Sequence, residues 1–408
     1  MTSNSDNVKF AYWVPNVSGG LVISNIEQRT GWDIDYNRKL AQIAEANGFD
    51  YALSQIRFTA GYGADNQHES VSFSHALLAA TTTLKVIAAI LPGPWNPALA
   101  AKQIATLSEA DSNITQALRG HFGFVEDVVN KTAGESRKRW TERIAHGEIA
   151  GNAWTEIGDA KQDVFSTRIS KKGDRLVLNG TKYYTTGSLF ADWIDVGATG
   201  LDGEGIVLQV RRDDPGVDVI DDWDGFGQTL TASGTTIFTD ATVDPEDVVV
   251  DDDKFRYGAA FYQLVHLATL AGIGRAMANE TAAAVAARKR SYSNAAGPRS
   301  SQDPQVLQVV GRIRSNAYAA GAIVLQVAQA IERAYEAHFA GHADLEEKAN
   351  AIAELETSQA VTVVTNLVLE ASTIIFDALG ASSTRKPIGL DRHWRQCSYP
   401  VVTQPTHL

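Results

Sequence analysis

The spacing of apolar and polar positions changes along the chain, and the first hundred residues alternate between two patterns. Short, mostly apolar runs predict buried strands, and the segments between them have apolar residues at helical spacing. The predicted strands are 9–15, 51–57 and 84–91, and the predicted helices are 36–47, 71–82 and 96–107. This alternation predicts parallel strands covered by helices.

Two further patterns follow. Residues 114–150 have helical periodicity interrupted by glycines, and 151–250 consist of short apolar runs between turn signals. Strands at this spacing are typical of a β-sandwich or barrel. Residues 255–379 are rich in alanine, and three long amphipathic segments within them predict a helical bundle. These segments are 258–289, 303–339 and 344–379.

Composition narrows the class of protein. The chain has 408 residues, enough for two or three domains, and a formal net charge of −12. That charge argues against nucleic acid or an anionic membrane as the main partner, although a local basic pocket can still bind a phosphate. Cys397 is the single cysteine, which excludes an intrachain disulfide and a CxxC metal site. We find neither a signal peptide nor a run of about 18 apolar residues, so we expect a cytoplasmic protein.

Several motifs in the second half of the chain occur in a fixed order. They are GNAWTE at 151–156, LNGTKYYTTG at 178–187, DW at 222–223, GFGQ at 225–228 and TASGT at 231–235. From about residue 108 to 395 the chain resembles flavin monooxygenases of the acyl-CoA dehydrogenase fold, in the branch of dibenzothiophene monooxygenase and the sulfur-acquisition oxidoreductases. The resemblance implies a reduced-flavin enzyme that oxidises a small organosulfur compound, a sulfone or a related species.

The N-terminal stretch resembles a different family. The runs FAYWVPN at 10–16, ALSQIRF at 52–58 and ILPGPWNP at 90–97 are similar to the start of dimethylsulfone monooxygenase, which belongs to the bacterial-luciferase-like family that uses reduced FMN. That family's fold is an eight-unit β/α barrel, and only three βα units are found here. Three strands cannot close a barrel, so we expect an unpaired edge, an apolar face without cover, and low solubility or a floppy N-terminal third.

We therefore interpret the chain as a join of two truncated genes near residue 107, giving a multidomain α and β protein. The alternative is a new architecture in which the βα segment replaces a helical domain. The predicted regions are a partial β/α-barrel segment at 1–107, a helical remnant at 108–150, a central β domain at 151–252, a C-terminal helical bundle of acyl-CoA dehydrogenase type at 253–395 and an aberrant tail at 396–408.

The tail departs from the resembled family. DRHWR at 391–395 matches the family pattern, but QCSYPVVTQP at 396–405 does not. Moving the reading frame by one base allows a codon choice that restores the family's peptide. Our hypothesis is a frameshift just after Arg395.

The family resemblance implies which residues face the flavin. Asn152, Thr155, Thr186 and the amide of Gly187 occupy motif positions beside the isoalloxazine ring, where a short hydroxyl or amide can donate hydrogen bonds to its reactive edge. We predict Asn152 and Thr186 as catalytic residues and Thr155, Thr186 and Gly187 as cofactor contacts. The alternative is that Thr186 and Gly187 are only turn residues, an interpretation that we adopt for 179–180.

Four further residues are candidates. Trp154 and Trp223 can stack beside the ring or wall the pocket, with a core role equally open. His121 lies in the segment where related desulfurising enzymes have an active-site histidine, so we predict a catalytic role for it, although a lone histidine is more often structural. Arg290 is a candidate contact for the flavin phosphate, and its alternative is a solvated charge at a helix end.

Two absences favour FMN over FAD and monooxygenation over dehydrogenation. Acyl-CoA dehydrogenases use a glutamate base, and none matches between residues 380 and 395. The Arg-x-x-Phe-Gly stretch that holds the adenylate end of FAD is missing at 288–292. The resemblance therefore implies reduced FMN from a separate flavin reductase, molecular oxygen as co-substrate and a homotetramer. The alternatives are an impaired fusion remnant that still binds flavin, and an FAD-dependent acyl-CoA dehydrogenase-like enzyme.

Overall fold

The computed structural model describes residues 9–18, 31–55, 67–68, 70–88, 97–131, 134–157, 165–250, 255–289 and 295–402. The chain divides into two compact units, Met1–Trp95 and Asn96–Leu408. The helix that the periodicity predicts at 96–107, as the last element of the βα segment, belongs to the second unit.

The first unit is a parallel sheet of three strands in the order β1-β2-β3, with two helices. Its elements are β1 (Ala11–Val14), α1 (Ile34–Ala46), β2 (Tyr51–Ser54), α2 (Ser70–Leu78) and β3 (Lys85–Ala88). Asp33 caps the start of α1, and its side chain accepts a hydrogen bond from the backbone N–H of Tyr36. The predicted alternation of strands and helices is present in this unit.

The two faces of this sheet differ. Val14 packs in a small buried cluster with Phe73 of α2. On the opposite face Trp13, Leu53 and Ile87 form one in-register row across the three strands. Trp13 and Ile87 have exposed fractions of 54% and 48%. An apolar face without cover is therefore present, and β1 and β3 are edge strands in the described part of this unit.

The second unit begins with four helices, and two of them have clear sequence signals at their start. α3 has proline at its first position, and the Asp111 side chain caps α4 by accepting from the N–H of Asn113. The four helices are α3 (Pro97–Ala110), α4 (Ser112–Ala117), α5 (Arg119–Asn130) and α6 (Glu135–Ala145).

An eight-stranded sheet follows. Its strands are β4 (Ala150–Ala153), β5 (Arg168–Lys172), β6 (Arg175–Lys182), β7 (Trp193–Thr199), β8 (Gly205–Arg211), β9 (Val217–Ile220), β10 (Thr235–Val243) and β11 (Val249–Val250). Hydrogen bonds give the order β11-β8-β7-β5-β6-β10-β9, with β4 also paired to β7. β8 and β10 are not paired but share one buried cluster, which contains Leu208 and Phe238. The sheet therefore folds over on itself around a core, and among the described strands its path ends at β9 and β11 without closing into a barrel.

The prediction of a turn at 179–180 is wrong, because both residues lie inside β6. The Asn179 amide accepts from the N–H of Asp240 and donates to its carboxylate, at 2.9 and 3.2 Å. Asp240 has a φ of 51° at a register shift between β10 and β6. The Asn179 side chain thus stabilises a β-bulge on the neighbouring strand.

The three predicted long helices are present in the bundle. They are α7 (Gly258–Ala287), α8 (Pro304–Ala340) and α9 (Ala343–Leu379), followed by α10 (Asp391–Val402). α3 packs against α7 and α8. A Cβ atom on Gly272 of α7 would lie 2.4 Å from the carbonyl oxygen of Ala105 of α3, so glycine allows the two backbones to approach closely.

One helix among the described residues, α9, is long and apolar enough to cross a membrane by length and composition alone. α9 also packs along α7 and α8 through buried residues such as Val364, Val368 and Ile375. Long core helices of bundles meet the same criterion, so this finding is weak evidence for a membrane span.

Candidate functional site

A cavity of about 540 Å³ lies in the second unit. Its walls come from α4, α5, α10, β4 and the loops that follow β4, β6 and β9. The residues that line it are Gln116, Arg119, Asn152, Thr155, Tyr184, Thr186, Trp223, Gly225, Phe226, Gly227 and Ser398. A volume of this size suits a small molecule or a cofactor. Three of the predicted site residues, Asn152, Thr155 and Thr186, are therefore brought together.

Asn152 and Thr186 are joined through the backbone. The N–H of Asn152 donates to the carbonyl of Thr186 at 3.4 Å, which connects β4 to the loop after β6. The Ser188 hydroxyl donates to the carbonyl of Asn152 at 3.2 Å. A Cβ atom on Gly120 would lie 2.8 Å from the Asn152 Oδ1, so glycine at the start of α5 makes room for this amide. Both side chains are thus held on one wall of the cavity.

A chain of hydroxyl groups fixes the polarity of Thr186. The Thr231 hydroxyl donates to the carbonyl of Gln228 at 2.7 Å, so its oxygen must accept from Ser233, which lies 2.8 Å away. Ser233 has then given its single proton to Thr231, and it accepts from the Thr186 hydroxyl, also at 2.8 Å. Thr186 therefore presents lone pairs to the cavity. We predicted that the Thr186 hydroxyl donates a hydrogen bond to the flavin. The series of hydroxyl groups instead leaves it able to accept one from a ligand in the cavity.

The amide of Gly187 has a partner within the protein. Its N–H donates to the carbonyl of Thr231 at 3.0 Å, so the prediction that this amide faces a flavin is wrong in this conformation. Gly187 has a φ of 78°, and a Cβ atom there would lie 2.1 Å from the carbonyl oxygen of Ala117. Glycine is required by the backbone rather than by a ligand.

Two other predicted site residues do not line the cavity. The Trp154 indole donates to the Asp195 carboxylate at 3.0 Å, and its ring packs edge-on against Phe165. The Nδ1 of His121 accepts from the N–H of Ala150 at 3.2 Å. Burial lowers the pKa of His121 to about 4 and outweighs the opposing charge of Asp192. His121 is therefore a neutral acceptor at pH 7 that orders the start of β4.

Aromatic residues form one side of the cavity. Tyr184 and Trp223 pack edge to face with ring centres 6.2 Å apart, and the Trp223 indole donates to the carbonyl of Gln228 at 3.1 Å. Phe226 stacks on Trp394 of α10 with ring centres 5.7 Å apart. Trp223 is thus a wall of the cavity, which is one of the two alternatives that the sequence leaves open.

Sequence reasoning missed Gln116 and Arg119 as residues of the wall. Gln116 is 2% exposed, and its Oε1 atom has no hydrogen-bond partner among the described residues. The guanidinium of Arg119 lies over the ring of Tyr262, 5.0 Å from its centre. The helical spacing of 114–150 places both on one segment, but only the fold shows that this segment faces the motif residues. Arg290 lies outside the described residues.

The segment after Arg395 is part of the fold. The Gln396 carbonyl and side chain bond the amide groups of Gln228, each at 3.1 Å. Cys397 is fully buried near Ser372 of α9, and Ser398 lines the cavity. The frameshift hypothesis concerns the gene and stays a prediction.

Comparison with known proteins bears on both halves of the chain. Residues 8–111 match the luciferase-like monooxygenase family, and residues 264–399 match the acyl-CoA dehydrogenase C-terminal domain. Over 105 residues the chain is 83% identical to the FMNH2-dependent dimethylsulfone monooxygenase of Pseudomonas putida. Over 271 residues it is 25% identical to the dibenzothiophene monooxygenase of Rhodococcus erythropolis. Both resemblances are confirmed.

The match to each relative is partial. The first covers 26% of this chain and 29% of the dimethylsulfone monooxygenase, and the second covers 63% of this chain and 64% of the dibenzothiophene monooxygenase. The chain thus spans less than two thirds of the length of either relative. The luciferase-like match also runs beyond the structural boundary, since α3 lies within it but packs in the second unit.

Solved structures show the fold of the larger part. FMN-bound TdsC of Paenibacillus sp. A11-2 superposes with a TM-score of 0.68 at 23% identity, covering 76% of this chain and 80% of that one. The methanesulfinate monooxygenase MsuC of Pseudomonas fluorescens gives 0.67 at 19% identity, with the same coverage. The chain therefore has the mixed sheet and C-terminal helices of the acyl-CoA dehydrogenase fold.

Proposed function

We propose that this chain is an FMNH2-dependent monooxygenase that oxidises a small organosulfur compound, a sulfone or a related species, in sulfur acquisition. The observation that carries the proposal is the position of Asn152 and Thr186 together on the wall of the cavity of about 540 Å³. The names of the relatives support the chemistry, since they are monooxygenases of dimethylsulfone, dibenzothiophene and methanesulfinate.

The residues present fit the isoalloxazine ring of reduced FMN. The reduced ring carries N–H groups, and the cavity offers two acceptors for them: the lone pairs of Thr186 and the Oε1 of Gln116, which has no protein partner among the described residues. When bound, reduced FMN supplies the electrons that activate molecular oxygen. The amide of Asn152 and the hydroxyl of Thr155 can orient the ring, while Tyr184 and Trp223 reduce the access of water to it.

The acyl-CoA dehydrogenase alternative needs a carboxylate base beside the flavin. No aspartate or glutamate occurs among the described residues that line the cavity. Neither the sequence motif nor the described lining of the cavity offers a carboxylate base, and this disfavours the alternative.

The proposal also covers the division of the chain into regions, its partner, its location and its oligomeric state. We infer the regions 1–107, 108–150, 151–252, 253–395 and 396–408 as set out from the sequence, a flavin reductase as partner, a cytoplasmic location and a homotetramer. An apolar stripe on α9 supports assembly, since Leu345, Leu355 and Val363 are all exposed on one side of that helix. Stripes of this kind mark helix–helix contacts.

The test is turnover with a matched pair of variants. Protein supplied with FMN, NADH and a flavin reductase is expected to consume oxygen only when a small sulfone or sulfinate is added. Asn152→Ala should lower the coupled rate by roughly 10- to 100-fold. Asn279→Ala changes the same residue type on the outer surface of α7, where Asn279 bonds Glu109, and should leave the rate unchanged.

The impaired-remnant alternative predicts a different result. Such a protein would retain FMN but show no substrate-dependent oxygen use with any of the sulfur compounds offered. That outcome, observed with a folded wild-type chain, would overturn the proposed activity.

A further inference from the structure

Gln228, in the loop after β9, is a fully buried polar residue with a left-handed backbone. Its exposed fraction is 0% and its φ is 51°. Residues other than glycine adopt this conformation at a cost in free energy, so they keep it only where surrounding contacts hold them. The contacts of Gln228 therefore show what this strained position does for the neighbouring cavity.

The backbone carbonyl of Gln228 holds two groups at the cavity. It accepts hydrogen bonds from the Trp223 indole at 3.1 Å and from the Thr231 hydroxyl at 2.7 Å. Trp223 is part of the cavity wall, and Thr231 begins the chain of hydroxyl groups that ends at Thr186. The orientation of this one carbonyl thus fixes both an aromatic wall and the direction of the Thr186 hydroxyl.

The donor groups of Gln228 point to α10 and α4. The backbone N–H donates to Oε1 of Gln396 at 3.1 Å. The side-chain amide donates to the Gln396 carbonyl at 3.1 Å and to the Ser112 hydroxyl at 3.2 Å. One residue of α10 therefore contacts both the peptide and the side chain of Gln228, and its Oε1 is the acceptor for a buried N–H.

The helix that carries Gln396 is fixed to the bundle. His393 is 4% exposed, and its Nε2 lies 3.1 Å from the Glu280 carboxylate of α7. Cys397, four residues further along, is fully buried in the core of the bundle. Residues four apart lie on one face of a helix, so both anchors hold the same side of α10. Gln396 thus reaches Gln228 from a rigid support.

We propose that Gln396 is a positioning residue of the flavin site, which acts through Gln228 on the Thr186 hydroxyl. This inference rests on the proposed function and adds a residue from the C-terminal segment to it. With the Gln396 Oε1 in place, the Gln228 peptide keeps its conformation and the Thr231 hydroxyl keeps its acceptor. Without this oxygen, the buried N–H of Gln228 lacks a partner, and the peptide turns to find one.

Turning of this peptide reverses the chain of hydroxyl groups. Thr231 loses its carbonyl acceptor and donates to Ser233 instead, so Ser233 donates to Thr186. The Thr186 proton then points to the cavity, where it favours oxidised FMN, whose N5 is an acceptor, over reduced FMN. The expected signature is a change in the ratio of the two FMN affinities, and one hydrogen bond corresponds to roughly a fivefold change.

The first test is FMN binding, measured without substrate. Gln396→Met keeps the length of the side chain but removes the acceptor oxygen. Anaerobic titrations should show that the affinity for reduced FMN, relative to that for oxidised FMN, falls roughly fivefold in this variant. Gln326→Met alters an exposed glutamine of α8 and should leave the ratio unchanged. A folded Gln396→Met protein with the wild-type ratio would overturn the assignment.

The second test separates this route from a general structural effect. Ser233→Ala interrupts the same chain, so the two substitutions should not act independently. Adding Gln396→Met to Ser233→Ala should change the ratio by less than about twofold, whereas independent effects would multiply to about 25-fold and contradict the proposal.

The outcomes also separate this role from the proposed activity. The expected shift in the affinity ratio, found in a protein that turns over no sulfur compound, would leave the role of Gln396 standing and remove the monooxygenase activity. A folded wild-type chain without affinity for FMN would overturn both.

Discussion

The ammonium group of Lys182 lies 2.8 Å from the carboxylate of Glu156, and the two side chains are 0% and 6% exposed. Glu156 also accepts from the N–H groups of Ser166 and Thr167, at 2.8 and 2.9 Å. It immediately follows Thr155 of the cavity wall, so this ion pair fixes one side of the site to the sheet.

Removing one partner of this buried pair should be costly. Glu156→Gln leaves the Lys182 ammonium buried without a counter-charge, and we expect a loss of about 3 kcal/mol in the free energy of unfolding. Urea denaturation followed by fluorescence measures it. The double variant Glu156→Gln with Lys182→Met should recover most of the loss, because no unpaired charge remains. A double variant as unstable as the single one would contradict this explanation.

The same pair predicts a dependence of stability on pH. Burial raises the pKa of Glu156, but hydrogen bonds from Lys182, Ser166 and Thr167 outweigh it and lower the pKa from 4.5 to about 2. A carboxylate with a depressed folded pKa stabilises the protein above its unfolded pKa and loses that contribution as the pH falls towards the folded pKa. The difference in unfolding free energy between wild type and Glu156→Gln should therefore narrow from pH 6 to pH 3. A constant difference across that range would argue against the ion pair.

The hydroxyl chain that ends at Thr186 predicts a change in the flavin potential. Ser233→Ala removes the nearer acceptor of the Thr186 proton and leaves only the carbonyl of Tyr184 at 3.4 Å, so the proton can then point to the cavity and favour oxidised FMN, whose N5 is an acceptor. We expect the midpoint potential of bound FMN to fall by about 20 mV, the equivalent of one hydrogen bond. Ser372→Ala, which alters a buried serine of the bundle, is the control. An unchanged or raised potential would show that Thr186 is not oriented by this chain.

Substituting alanine at two glycines with similar backbone angles should lower the unfolding free energy by different amounts. Gly187 has a φ of 78° and would place a Cβ atom 2.1 Å from a backbone carbonyl, whereas Gly203 has a φ of 90° and open space around it. Gly203→Ala should cost only about 1 kcal/mol for the left-handed backbone. Gly187→Ala must also displace Ala117 and should lower the unfolding free energy by at least about 2 kcal/mol more. Thermal denaturation of the two variants side by side makes the comparison, and equal losses would contradict the predicted clash.

The sequence predicts most elements of this fold because their signals are local. Pro304 with its Asp303 cap marks the start of α8, and Gly341 marks its end. The helical spacing of apolar residues predicts the length of each helix, and α7, α8 and α9 are found close to the predicted bounds. The 179–180 turn fails because a local Asn-Gly signal cannot reveal a bulge on another strand, where Asp240 needs the Asn179 side chain.

The site is predictable only where a motif and an inward-facing position coincide. Asn152 and Thr186 satisfy both conditions and line the cavity. Trp154 lies in the same motif but donates to Asp195, because β4 ends at Ala153 and the strand alternation that would place Trp154 on the face of Asn152 stops there. Gln116 and Arg119 belong to no motif, and only the packing of α4 and α5 brings them to the wall.

The first unit should be the first part of the chain to be cleaved by a protease. Its described core is the small cluster around Val14, Phe73 and Leu77, and one face of its sheet leaves Trp13 and Ile87 exposed. Segments with few buried apolar contacts open at low free energy. Limited digestion followed by mass spectrometry should give a stable fragment that begins close to residue 96. A fragment that retains residues 1–95 while the bundle is cut would oppose the prediction.

The exposed apolar stripe on α9 predicts that one charged substitution within it will disrupt the proposed oligomer. Leu355 is 58% exposed and lies in the same stripe as Leu345 and Val363, so a contact with another copy would bury it. Leu355→Glu should convert the proposed tetramer to smaller species, because an unpaired carboxylate in an apolar contact must be desolvated. Light scattering after gel filtration measures the mass. Leu201→Glu places the same charge at an exposed leucine in the turn between β7 and β8 and should leave the mass unchanged. A tetramer that persists in Leu355→Glu would mean that α9 does not form the contact between copies.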